Sequence, residues 1–206
     1  RRGRAIKTSR RATMKPPRHI PLLLGLLALF TLMRWPGLLP WNFSPVYAIC
    51  FCAGVYFKGR RAWLVPVAFM FVSDVLMNYF HWRHLGFSTF TAHMWVTYAL
   101  YLGLAAFGWW MTEKARPAAL IAGGALGACA FFLVANSIAW LSNPVYAKTW
   151  AGLVQSFTIG QTGFPPPIVF LKNTIASGAL FTMVIVFAVN VARANEKVDA
   201  EFRLKA

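Results

Sequence analysis

The residues able to do chemistry in this chain are few, and most lie inside apolar runs. Asp74 is the single carboxylate of the run Ala62–Phe80, and Lys172 the single cation of Ile168–Ala192. Asn136 lies in Pro117–Leu141, Asn173 follows Lys172, Asn78 sits one turn beyond Asp74, and His93 lies in Phe90–Met111. A charge in hydrocarbon costs a few kcal/mol or more, so Asp74 and Lys172 must face a bundle interior or a watery cavity. At 1.5 Å of rise per residue, Asp74 lies about 9 Å from the outer end of its run. Asn136 and Lys172 lie at comparable depth, and all six groups fall in the outer half of the spans. That shared level points to an outward-opening pocket for a small polar ligand. Asp74, Asn136, Lys172 and Asn173 line it, Asn42 stands near its mouth, and Asp74 and Lys172 are placed to pair. Each residue also has a plainer use. Lys172 can snorkel to the interface, Asp74 can bond a neighbouring helix, and the asparagines can join helices.

Other chemistry is sparse. No Gly-x-x-x-x-Gly-Lys-Ser/Thr, His-Glu-x-x-His or Gly-x-Ser-x-Gly occurs, and there are five Asp and Glu in all. No catalytic residue and no metal site is therefore assigned, and an enzyme is not expected. Three cysteines, Cys50, Cys52 and Cys129, sit in apolar runs and read as buried thiols. His81-Trp82-Arg83-His84 reads as an interfacial external loop rather than a metal site. His93 is of a type that can ligate haem or chlorophyll, with no identifiable partner ligand, so the cofactor is left open.

The elements that must position these groups follow from composition. The chain has 206 residues, 58% hydrophobic and 13% charged. A soluble domain carries about 25% charged residues, so most of this surface is not built for water. Six apolar runs can be set out as spans. Pro117–Leu141 and Ile168–Ala192 are the clearest, followed by Phe90–Met111 and Ala62–Phe80. Ile20–Met33 and Phe43–Phe57 are shorter, and read as short, tilted or partly re-entrant. The expected fold is an all-α membrane protein, a compact bundle of about six transmembrane helices. Residues 1–18 form a basic arm, 19–193 the membrane domain and 194–206 a charged tail that extends the last helix. The first residue is Arg, which reads as a processed or incomplete start, and no small-residue cleavage site follows the first apolar run.

Charge sets the orientation. Of 21 Lys and Arg, 17 fall on the side of the arm, the Lys58–Arg61 loop, the Glu113–Arg116 loop and the tail, against Arg34, Arg83 and Lys148 opposite. The positive-inside rule puts both termini in the cytoplasm. The net charge of +16 is concentrated rather than spread over a face, eight cations lying in the first 18 residues, so nucleic acid is not an expected partner. The arm suits anionic lipid or an acidic protein surface, or serves as a topology anchor. Thr149–Ile159, in the long external loop, reads as a short surface helix, and Asn42-Phe43-Ser44-Pro45 as a helix opening. Gly123 and Gly127 form a Gly-x-x-x-Gly pair, and Ala99 and Gly103 repeat the spacing one helix earlier. Small residues let backbones pack closely.

The order Asn42-Phe43-Ser44-Pro45-Val46-Tyr47-Ala48, Ala53-Gly54-Val55-Tyr56-Phe57, Ser73-Asp74, Phe131-Phe132, Ala135-Asn136, Trp140, Tyr146, Thr149, Gly152-Leu153, Asn173-Thr174 and Phe181-Thr182 resembles a family of bacterial six-span membrane proteins known only as a domain of unknown function. More distantly the pattern looks like the S components of energy-coupling-factor vitamin transporters. That likeness implies capture of a vitamin-like micronutrient at the outer face of a bacterial cytoplasmic membrane. The first span, Pro21 to Ala28, lacks the Ala-x-x-x-Ala spacing with which S components dock their motor subunit. The rival expectation is a non-catalytic accessory subunit of a respiratory or photosynthetic membrane complex, held to other subunits by its glycines and cationic arm.

Overall fold

The computed structural model describes residues 19–86 and 93–205; the basic arm and the 87–92 connection lie outside it, as does the side chain of His93. The described residues form seven α-helices and no strand: α1 His19–Leu32, α2 Val46–Tyr56, α3 Arg61–Leu85, α4 His93–Met111, α5 Pro117–Ser142, α6 Trp150–Phe157 and α7 Pro167–Lys205.

Three of these, rather than six, are long and apolar enough to cross a membrane: α3, α5 and α7. The shortfall has local causes. The first helix, described from His19 over 14 residues, ends where the chain turns at Met33–Gly37, where Pro36 has no amide to donate and Gly37 takes φ +86°. The second has 11, about 16 Å, bounded by Pro45 and by the Lys58-Gly59 turn. The fourth is described from His93 over 19 residues and is not among the three. The third runs farther than its apolar pattern, taking His81–His84 into its last turns instead of a loop. Gly86 ends it in the left-handed conformation that only glycine adopts freely. The short surface helix expected from Thr149 is α6, and the Thr149 side chain accepts the Gly152 amide. At 39 residues, or about 58 Å, α7 is nearly twice the thickness of a hydrocarbon core.

Every residue of α2 is buried, and the helix is apolar all round, which makes it the hydrophobic centre of the bundle. It crosses α4 at a backbone contact. A Cβ on Gly54 would overlap the Ala105 carbonyl oxygen, and one on Gly108 would overlap that of Phe51. The α5–α7 crossing is of the same kind: a Cβ on Gly124 would stand 2.8 Å from the Gly178 oxygen, and one on Gly178 2.7 Å from the Gly124 oxygen. Gly123 and Gly127 are buried against the side chains of Phe51 and Met111 and of Leu104 and Phe107. Ala99 and Gly103 point outward, with no atom of another helix near a Cβ on Gly103, so this pair brings no two helices together.

The outer faces are apolar: Phe71, Val72, Leu126, Leu180 and Phe187 are all exposed at mid-helix. Such a face is a liability in water and ordinary in lipid. Interhelical polar contacts sort to two ends. At one, His19 meets Glu196, and Lys58 and Arg193 meet Glu113. At the other, Arg34 meets Asp74, and Asn173 meets Trp41.

Candidate functional site

The second end carries a charged cluster that begins in the turn after α1. Thr31 donates its hydroxyl to the Leu27 carbonyl at 2.8 Å and its own carbonyl accepts the Arg34 amide at 3.2 Å, so the chain bends inward as the helix stops. The Arg34 side chain then reaches α3. One guanidinium nitrogen donates to Ser73 Oγ at 2.8 Å and lies 3.3 Å from Met70 Sδ; the other donates to Asp74 Oδ1 at 2.8 Å. Tyr98, from α4, donates its hydroxyl to Asp74 Oδ2 at 2.9 Å. Both carboxylate oxygens are thereby bonded. The two side chains are only 11% and 16% exposed, which leaves the pair closed on itself rather than loose at a surface.

Aromatic packing holds the cluster rigid. Tyr98 meets Tyr101 edge-on at 5.7 Å, Tyr101 stacks on Phe131 at 5.9 Å, and Tyr47 meets Phe131 at 5.2 Å. The fork from one guanidinium to consecutive residues of α3 fixes that helix against the α1–α2 connection, as planar five-donor geometry suits.

Beside Arg34 opens a cavity of about 300 Å³, walled by Met33–Gly37, by Leu39–Pro45 and by Met77 of α3. Its polar residues include Arg34, Asn42 and Ser44. Trp35 and Trp41 are its large aromatic surfaces, the first packed on Phe80 at 5.1 Å and the second near Phe170 at 6.1 Å. Asn42 is exposed in a turn with φ +58°, and Ser44 rather than Asn42 accepts the first amide of α2, at 3.4 Å.

Of the five residues proposed from sequence, the structure brings three to this end. Asn42 lines the cavity, Asp74 anchors its arginine, and Asn173 donates to the Trp41 carbonyl in its wall at 2.9 Å. The other two do not line the cavity. Asn136 donates to the Phe132 carbonyl of its own helix at 2.8 Å, and Lys172 is exposed. Asp74 pairs with Arg34 and not with Lys172, because the α1–α2 connection folds back into the bundle while Lys172 lies on the outer face of α7. Sequence reasoning counted Arg34 as a loop charge. The signal that could have found it is an isolated cation followed by Pro36-Gly37, in a chain with one intramembrane carboxylate. Among the described residues no group of three or more His, Cys, Asp and Glu could hold a metal.

An all-helical bundle with a fully buried central helix, three helices of membrane-crossing length and a lipid-suited exterior around a charged cluster is the class that this fold and site define. Within it, the chain belongs to a family of unknown function (DUF6580), matched over residues 14–200. No curated protein and no solved structure matches the chain.

Proposed function

We propose that this chain is a membrane-embedded binding protein for a small, polar, vitamin-like molecule, which it captures at the outer face for uptake. In this reading it crosses a bacterial cytoplasmic membrane six times with both termini inside. Helices α3, α4, α5 and α7 traverse directly, α1 spans with the help of the turn that follows it, and α2 makes a short crossing shielded from lipid by its neighbours. A short helix is tolerable there because protein, not lipid, satisfies the backbone at its ends.

The observation that carries the reading is Arg34 in the wall of the cavity, its side chain held by Ser73 and Asp74, with Trp35 and Trp41 lining the same space. Because Asp74 already neutralises Arg34, the site favours a neutral or zwitterionic ligand over a strongly charged one. A volume of about 300 Å³ is at the low end for ligand pockets, which keeps that ligand small. Trp35 and Trp41 suit a planar molecule. Arg34 and Asn42 touch the ligand, and Asp74 positions Arg34. No bond is made or broken, so the role is non-catalytic.

The test is a thermal-shift screen of vitamins and their precursors against the full chain in lipid nanodiscs, followed by titration of any hit. Saturable binding that weakens at least tenfold in Asn42→Ala and Trp41→Ala is the expected result. Absence of any saturable ligand, or unchanged binding in both variants, refutes it.

One observation favours a second reading, an accessory subunit of a larger respiratory or photosynthetic membrane complex. The Ala99–Gly103 face of α4 is uncovered and borders a groove of about 340 Å³ between α4 and α5. Mild-detergent purification separates the two, since stoichiometric co-purification with redox or pigment proteins supports the second and migration as a lone 23.0 kDa chain counts against it.

A further inference from the structure

At the opposite end of the bundle from Arg34 lies a second cavity, of about 430 Å³, that the ligand-capture reading does not use. It is formed where four helix ends converge: the start of α1, the end of α2 with the start of α3, the connection after α4, and α7 as it leaves the bundle. Three cations line it, Lys58, Arg61 and Arg193, against one carboxylate, Glu113.

The carboxylate is fully engaged. Glu113 Oε1 accepts from Lys58 Nζ at 3.1 Å, and Oε2 accepts from Arg193 at 2.5 Å. Arg193 also lies 5.5 Å over the Tyr56 ring, so its guanidinium is held from two directions. His19, at the rim, is tied to Glu196 through its backbone amide at 2.9 Å and its ring at 3.4 Å, so that second carboxylate is turned toward His19. Lys58 and Arg61 are exposed and Arg193 is fixed, which leaves about two positive charges in excess over a small volume. The walls are not uniformly polar: Ile20 and Phe57 lie beside the cations.

We infer that this cavity binds a phosphate group, with Lys58, Arg61 and Arg193 as its donors and the Ile20–Phe57 wall taking the apolar part of an amphiphile. Like charges held this close repel one another, and an anion between them relieves that repulsion. Phosphate oxygens match the fork of Arg and the point charge of Lys. Basic pockets between helices on the cytoplasmic side are the places where anionic headgroups settle. The same chemistry is offered by a soluble phosphate compound, and the two sources are told apart by experiment.

The full chain, purified in a neutral detergent, is titrated with dioctanoyl phosphatidylglycerol, with dioctanoyl phosphatidylcholine and with inorganic pyrophosphate, reading the thermal midpoint. The phosphatidylglycerol curve is expected to saturate at a concentration at least tenfold below that for phosphatidylcholine. Arg61→Gln, an exposed change on the first turn of α3 that leaves the Glu113 contacts intact, is expected to weaken it severalfold. The Lys58→Gln/Arg61→Gln pair should weaken it at least tenfold, while Arg83→Gln at the other end leaves it unchanged. Pyrophosphate binding with the same residue dependence supports the site and assigns it to a soluble phosphate; binding of the lipid alone supports it as a headgroup site. No saturable binding of any of the three, equal binding of the two lipids without pyrophosphate binding, or wild-type behaviour of the double variant overturns it. None of these outcomes depends on the Arg34 cavity.

Discussion

Arg34 and Asp74 form a pair that neither residue can leave alone. Removing one partner of a buried ion pair strands the other and costs about 3–5 kcal/mol, whereas replacing both by apolar groups of similar size is often neutral. Asp74→Leu is therefore expected to lower stability by that amount, and Arg34→Met/Asp74→Leu to recover most of it, in a reversible denaturant titration. The double variant also separates structure from function, since it should fold and still fail to bind a ligand that needs the guanidinium. At the other end Glu113 shows the opposite balance of forces. Burial pushes its carboxyl up, but the bonds from Lys58 and Arg193 outweigh that and hold it below the usual carboxylate range. Its folded value is thus the lower one. Its contribution to stability is complete above the ordinary carboxylate range and disappears as pH falls through the lowered value. Thermal midpoints measured from about pH 6 down to about pH 3 should fall for the wild type and fall less steeply for Glu113→Gln. Of these two clusters, the carboxylate of the first was legible in the sequence as a costly charge in an apolar run. Its partner was not, because Arg34 lies where a helix ends, and only folding decides whether such a charge turns outward or back.

The helices are arranged by where backbone can approach backbone. Gly54 and Gly108 meet across α2 and α4 with no room for a methyl group, and the obstructing atoms are carbonyl oxygens that cannot swing aside. Gly54→Ala and Gly108→Ala are each expected to cost about 1–3 kcal/mol or more, the range for forcing extra volume into a packed core. Gly103→Ala, in open space, should stay within about 0.5 kcal/mol of wild type in the same measurement. The sequence spacing marks Ala99/Gly103 and Gly123/Gly127 equally, and the structure packs only the second pair. Small-residue spacing states that a helix can be approached closely on one face. Whether a neighbour lies on that face depends on how the whole bundle closes, and here α2 takes the inner side of α4 through Ala105 and Gly108. For the same reason α2 reads as a weak span by length, and its burial on every side becomes visible only when the surrounding helices are in place.

At the scale of the whole molecule, polar contacts are gathered at two ends of an apolar body. Single-cysteine labelling in whole cells, in a Cys129→Ala background that leaves only the buried Cys50 and Cys52, tests which end faces inward. With both termini inside, Arg60→Cys should react with a membrane-impermeant maleimide only after permeabilisation, and Val145→Cys should react in intact cells. The reverse pattern would invert the molecule and put the phosphate cavity outside.

What the amino-acid sequence determined by itself is the helical class, the apolar character of the exterior, the approximate position of each helix and the clustering of cations at one set of helix ends. These follow from composition and local periodicity, which act within one segment at a time. Only the tertiary structure decided that α2 is buried on every side, that Arg34 rather than Lys172 answers Asp74, that Asn136 bonds its own helix, and that Lys58, Arg61, Glu113 and Arg193 share one cavity. Each of those outcomes depends on which residues far apart in the chain come to share the same few cubic ångströms. That is set by the competition among all helices for one interior, which no local pattern encodes.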